Sequence, residues 1–261
     1  MMILQQNMNA ASLYWDTNGT TAGFGSINGT WGVGNFWNTD SGGGSGTLVT
    51  LPTSADDLNL SGGTTGTILI SGTGTASSLT FSNNVVTNTN AGILALGGSG
   101  TSSGLFVTSA VSSATNVSSI VSLNNAATTI QNAGTGVLTL SGGLTGSQNL
   151  ILKNNGATAG GITLSGSSLI NNTGTITNSG SGNGGVTISA GIGYNVTGIT
   201  QNSASSSLTL SGVNLFRGDT LVSAGTLVIG NNLALQNSVL DTSGSGVITL
   251  SGSTTPTLGG L

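Results

Sequence analysis

The sequence predicts an all-β chain wound as a parallel β-helix, a β-solenoid, with an aromatic-rich cap at its amino-terminal end. Three observations lead there. Short apolar segments of period-two alternation recur, each followed by a glycine-containing turn. Their spacing is close to twenty residues, and aromatic side chains crowd into one stretch near the start.

The repeating segments are DLNLSG at 57–62, TILISG at 67–72, GILALGG at 92–98, GVLTLSG at 136–142, GITLSG at 161–166, GVTISA at 185–190, SLTLSG at 207–212, GTLVIG at 225–230 and GVITLSG at 246–252. Alternation places Leu138 with Leu140, Ile162 with Leu164, and Leu208 with Leu210 on one side of a strand. The last apolar residues Leu96, Leu140, Leu164, Ile188, Leu210, Ile229 and Leu250 are separated by 44, 24, 24, 22, 19 and 21 positions. The first gap spans two periods and holds a weaker match, SIVSL at 119–123. Stacked coils of this kind bury an aliphatic ladder and need glycine or asparagine at their corners, a role that suits the Asn pairs at 83–84, 124–125, 154–155, 171–172 and 231–232. About ten coils are expected, giving a rod of roughly 50 Å.

Composition closes other routes. Of 261 residues, 46 are Gly, and Ser, Thr and Asn make up most of the polar remainder, all poor fillers of helix interiors. This excludes a leucine-rich horseshoe backed by helices. A hydrophobic fraction of 36% with only 3% charged residues also separates the chain from ordinary disorder. A β-sandwich is not excluded by pattern alone, and the regular period favours the solenoid.

The segment 14–40 contains Trp15, Trp31 and Trp37 together with Tyr14, Phe24 and Phe36. An open solenoid end exposes core and an unpaired edge, so residues 1–50 read as a cap and its connection, with Gly42–Gly46 leading into the coils. Residues 51–261 read as the solenoid, in degenerate repeats of about 19–26 residues. The three Trp side chains are also the candidates for a carbohydrate-stacking platform. No aromatic cap is evident near Pro256 and Gly259–Gly260, so an uncapped carboxyl-terminal coil is expected to pair with a second copy end to end.

The chemistry available is narrow. There is no Cys and no His, so thiolate or imidazole catalysis, Cys/His metal sites and disulfides are ruled out, and no cofactor or metal site is expected. The only cations are Lys153 and Arg217 against six Asp, a balance unsuited to nucleic acid, to anionic membranes or to holding a polyuronide. No apolar run is long enough for a membrane-spanning helix, and residues 1–11 lack the cation and apolar length of a signal peptide. Glycoside hydrolysis needs paired carboxylates. Only Asp219 and Asp241 have coil-like spacing, and solvated turns explain them more simply, so a non-enzymatic role is expected. Arg217, Gly218 and Asp219 form an RGD tripeptide, a candidate surface contact that a charged turn also accounts for. Calcium at Asp56 and Asp57 is a minor alternative, and TGT at 73–75, TNT at 87–89 and TGTIT at 173–177 supply Thr-x-Thr steps for an ice-binding face, without coil periodicity.

Residues 207–235, SLTLSGVNLFRGDTLVSAGTLVIGNNLAL, resemble the passenger-associated β-strand repeat of bacterial autotransporter passenger domains. The LTLSG strand is 208–212, Phe216 takes the aromatic step, Gly218 the turn, and AGTLVIG is 224–230. The openings YWDTNG at 14–19 and WGVGNFWNTD at 31–40 are similar to the start of large secreted repeat proteins of the same kind. Arg217 and Asp219 depart from the small neutral residues usual in that turn. The resemblance implies a right-handed β-helix at the cell surface or outside the cell, serving as a structural or adhesive segment with surface glycans or a host surface as partners. It carries no catalytic residue.

Overall fold

A strand of three to five residues with alternate Leu, Ile or Val side chains has one dry side and one wet side, and glycine turns let the next strand begin within a few residues. Stacking such coils covers every dry side with the neighbour's. The computed structural model of the protein has this arrangement. It describes residues 10–261 except 63–65, 83–87, 90, 91, 99–102, 125, 157–160, 253 and 254.

Each full coil contributes to three faces. The main face runs in parallel from Ser12–Trp15 through Asp57–Leu60, Ser78–Phe81, Gly104–Val107, Thr128–Asn132, Leu150–Asn154, Gly174–Asn178, Val196–Asn202, Asp219–Ala224 and Leu235–Asp241 to Leu258–Gly260. The second is an eight-stranded sheet from Asn88–Thr89 to Val247–Leu250. On the third face Gly72–Ala76, Gly92–Leu96, Ile120–Leu123 and Leu144–Gly146 pair in parallel, and the row continues as single bridges from Leu144 to Ile170 and from Ile170 to Ile192. At about 4.8 Å per strand the main face is roughly 50 Å long.

The aliphatic ladder is in register. Leu140, Leu164, Ile188, Leu210, Ile229 and Leu250 are successive partners on the second face, and the first five are buried. Leu96 is a correction to that ladder. It pairs with Leu123 on the third face, and the second-face positions before Leu140 are Val117 and Thr89. The SIVSL segment likewise supplies the third face.

Asparagines do more at the corners than turn the chain. Asn132, Asn154, Asn178 and Gln201 are completely buried where the main face gives way to the second. The Asn132 amide donates to the Gly136 carbonyl at 2.8 Å, and Asn178 donates to the Gln201 side chain at 2.8 Å and to the Ser206 carbonyl at 2.9 Å. Such amides satisfy carbonyls that a sharp corner removes from the sheet ladder. Asn172 and Asn231 do similar work elsewhere, while 83, 84 and 125 lie outside the described residues.

Gly97 shows how tightly coils are set. Its φ is +97°, and a Cβ there would run into the Asn124 carbonyl oxygen of the next coil. Gly97→Ala is therefore expected to lower stability by about 1–3 kcal/mol, read as a reduced urea midpoint with an unchanged slope.

The two ends differ. At the amino-terminal end Trp37–Asn38 lies antiparallel to Ser12–Trp15, and Leu48–Val49 lies antiparallel to Trp37–Asn38, so the edge of the main face is covered by strands of the wrong polarity to continue the stack. Ser12–Trp15 is itself the first parallel strand of the main face, paired with Asp57–Leu60. At the other end Val247 is 58% exposed and Leu250, the register partner of buried Ile229, is 51% exposed.

Candidate functional site

Trp15, Trp31 and Trp37 come together but face inward. Trp37 stands edge-on to both others, with ring centroids 5.0 Å from each, and Phe36 lies 5.2 Å from Trp15. All three indoles are buried, Trp15 completely. A sugar needs an exposed ring face, so these rings form the core of the cap and offer no stacking platform.

Four of the six carboxylates also belong to this end, and their hydrogen bonds explain their positions. Asp16 is buried and accepts from the Asn38 amide at 2.6 Å and from the backbone N–H groups of Asn18 and Gly19. Asp56 accepts from the N–H groups of Ala11 and Thr53 and from the Thr53 hydroxyl, and Asp57 from the Ser78 hydroxyl at 2.6 Å. Asp40 accepts from Gly42 and Ser45. The calcium candidates Asp56 and Asp57 are thereby engaged in the turns that join the cap to the coils. Among the described residues no group of three or more acidic side chains converges as a metal site would.

Arg217 and Asp219 are exposed, flanking a Gly218 whose missing Cβ leaves room for the Thr197 carbonyl. The glycine of the tripeptide is thus set by coil packing. Asp219 and Asp241 do lie on neighbouring main-face strands, but Asp241 is opposite Leu221, two positions out of register with Asp219. Both border a cavity of about 400 Å³ at the last coil. The backbone N–H of Ser243, then its hydroxyl, hold the Asp241 carboxyl below its ordinary value, the wrong direction for a general acid.

Asp40 is held low in the same way, chiefly by the Gly42 N–H, then by the hydroxyl and N–H of Ser45. A depressed folded-state value contributes stability that is present above the unfolded value of 3.8 and is lost as the pH falls through the folded value. No His titrates near neutrality. The thermal midpoint is therefore expected to be level between about pH 5 and 8 and to fall below pH 4, by less in a variant carrying Asp40→Asn and Asp241→Asn. A pH scan of thermal unfolding checks this.

The Thr-x-Thr steps lie on different faces, 73–75 on the third and 173–177 on the main one, and 87 lies outside the described residues. A threonine row that the Thr-x-Thr steps do not reveal stands elsewhere. Thr139, Thr163, Thr187 and Thr209 are successive register partners on the outer side of the second face, one per coil, interrupted by Val228. The signal was the central residue of LTL, ITL, VTI and LTL, and its effect is cross-strand pairing of β-branched side chains.

An extended concavity lies on the third face. Cavities of about 490 and 340 Å³ share Ile120, Gly142 and Ser168, so they form one groove. Among the described residues its walls hold no charged one. Comparison of the chain with protein-family models, with curated proteins and with solved structures found no match.

Proposed function

We propose that the chain is a non-catalytic scaffold or display segment working at the cell surface or outside the cell, a stiff rod that holds what is joined to it at a fixed distance. The observation that carries this reading is the stack of parallel strands over an in-register aliphatic ladder, with Asp16, Asp40, Asp56, Asp57 and Asp241 each hydrogen-bonded to neighbouring donors. Stiffness follows from backbone ladders running along the whole rod, each coil bonded to both neighbours.

The extracellular part rests on the resemblance of 207–235 to the passenger-associated repeat. In support, Leu208–Leu210 and Thr226–Ile229 are neighbouring strands of one sheet, and Phe216 of the aromatic step is buried between them in sequence. Surface shaving tests it: a tagged chain in its own cells is expected to lose its tag to added protease while the cells stay intact. Protection until lysis would refute the location. Release of reducing ends from a polysaccharide, abolished by Asp219→Asn, would refute the non-catalytic part.

A second reading, self-association, has its own observation in the exposed Val247 and Leu250, which pair in register with the strand of buried Ile229. The antiparallel strands Trp37–Asn38 and Leu48–Val49 disfavour pairing at the opposite edge of the main face, so this reading places the contact at the Val247–Leu250 strand. Sedimentation over a concentration series separates a monomer–dimer equilibrium from open-ended growth.

A further inference from the structure

Four Asn–Gly steps stand in the chain, at 18–19, 28–29, 155–156 and 183–184. Each carries a latent reaction, because a glycine has no side chain to shield its backbone nitrogen from the asparagine side-chain carbonyl before it. Three of the four are held out of that reaction by the fold. Gly19 donates its N–H to the Asp16 carboxylate at 3.2 Å, a negative charge that opposes loss of the proton. The Asn28 side-chain oxygen accepts from the Thr67 N–H at 2.9 Å, and the Gly29 N–H donates to the Thr67 carbonyl at 3.1 Å. At Asn155 the side-chain oxygen accepts from the N–H and hydroxyl of Ser181, and its amide donates to Gln131 at 3.1 Å. The Gly156 N–H is shared between the Asn132 carbonyl and the Asn154 side-chain oxygen, at 3.1 Å each.

Asn183 differs on every count. It is exposed, in the connection 179–185 between Gly174–Asn178 and Val186–Ile188, and its side chain makes no hydrogen bond among the described residues. Gly180, Gly182, Gly184 and Gly185 surround it, so the backbone on both sides reaches the angles that ring closure needs. The Gly184 N–H has the longest contact of the four, 3.4 Å to the Gly156 carbonyl. The next coil crosses the same corner in the shorter connection 203–207, which supplies no bond to Asn183.

We infer that Asn183 is a self-modification site, closing on Gly184 to a succinimide that water opens to aspartate and isoaspartate. The Gly184 nitrogen attacks Cγ of Asn183. An N–Cγ bond forms, the Cγ–Nδ2 bond breaks, and the proton lost by Gly184 leaves with the departing ammonia. Water then adds to either carbonyl of the cyclic imide. Opening at the side-chain carbonyl restores the ordinary backbone with an aspartate, and opening at the main-chain carbonyl leaves the backbone running through the side chain as isoaspartate. Nothing is oxidised or reduced, and water is the only co-reactant. The product adds one carboxylate to a chain of net charge -4. The flanking strands are each paired on both sides, Gly174–Asn178 with Leu150–Asn154 and Val196–Asn202, Val186–Ile188 with Ile162–Leu164 and Leu208–Leu210, so the extra backbone carbon is absorbed in the corner.

This inference is independent of where the chain resides and of what it holds apart. The test is incubation of the purified chain in mildly alkaline buffer, followed by isoelectric focusing, peptide mapping by mass spectrometry and enzymatic methylation of isoaspartyl carboxyls. An acidic band is expected to grow in, with conversion at Asn183 about tenfold faster than at Asn18, Asn28 or Asn155, whose steps must first give up hydrogen bonds. The Asn183→Gln variant, whose longer side chain closes a less favourable ring, should lack that early band and keep the same circular-dichroism spectrum. In denaturing urea the four steps should react at similar rates, because the bonds that restrain three of them are gone. Conversion elsewhere as fast as at Asn183 in the folded chain, an early band that survives Asn183→Gln, or the same ranking in urea would each overturn the assignment.

Discussion

Leu164→Asp is expected to unfold the central coils. Leu164 is fully buried and lies between Leu140 and Ile188 in the second-face ladder, so a carboxylate there would meet aliphatic groups above and below. Truncation of a buried leucine to alanine costs about 2–5 kcal/mol, and an unpaired charge in the same place adds desolvation that nothing nearby compensates. The total exceeds about 5 kcal/mol, comparable with the whole stability of a typical domain. Circular dichroism should show loss of most of the β-sheet signal at room temperature. A cooperative melt within a few degrees of the wild type would mean that the ladder is not the core.

Trp15→Ala is the second large effect, and it is local. The ring packs against Trp37 and Phe36 and closes the amino-terminal end, so its removal is expected to cost about 3–5 kcal/mol. Coils interact with their neighbours only, so the loss should be concentrated in residues 12–60 and fade along the rod. Hydrogen exchange is the measurement: amides of the first two main-face strands should lose protection while those from Leu138 onward keep it. Trp15→Phe is expected to cost much less, because the buried indole N–H makes no hydrogen bond among the described residues that the change would remove. Uniform loss of protection along the chain would show that the cap and the coils unfold as one unit.

How far the fold could be read from the sequence depends on the face. The second face was legible because its strands recur as LTL, ITL, VTI and LTL, each with two inward side chains and a following turn. The third was not. There the same short pattern in GILALGG is a different strand of the coil, and later coils reduce the face to single bridges at Ile170 and Ile192, too short for any periodicity. An alternating pair of aliphatics says that a strand has a dry side without saying which of three faces it belongs to.

The candidate sites show a similar division. Clustering of Trp15, Trp31 and Trp37 was visible in the sequence, whereas the direction of their rings depends on an antiparallel pairing that no local pattern announces. The acidic residues near the start read as scattered, because Asp16 and Asn38, or Asp56 and Ala11, meet only after the chain has turned back on itself. The groove is harder still: Ile93, Ile120 and Leu169 are separated by unequal coil lengths, so their alignment exists only in the stacked structure.

The antiparallel lid on the first coil also gives folding a direction. Asn38 and Leu48 are register partners ten residues apart, whereas parallel neighbours on the main face must close loops of about twice that length before they meet. Short closures lose the least chain entropy and form earliest, so the lid is the natural nucleus and Ser12–Trp15 the first template on which a coil is laid. Each finished coil then presents a fresh edge to the next, and the described coils are laid down in order from Ser12–Trp15 toward Leu258–Gly260.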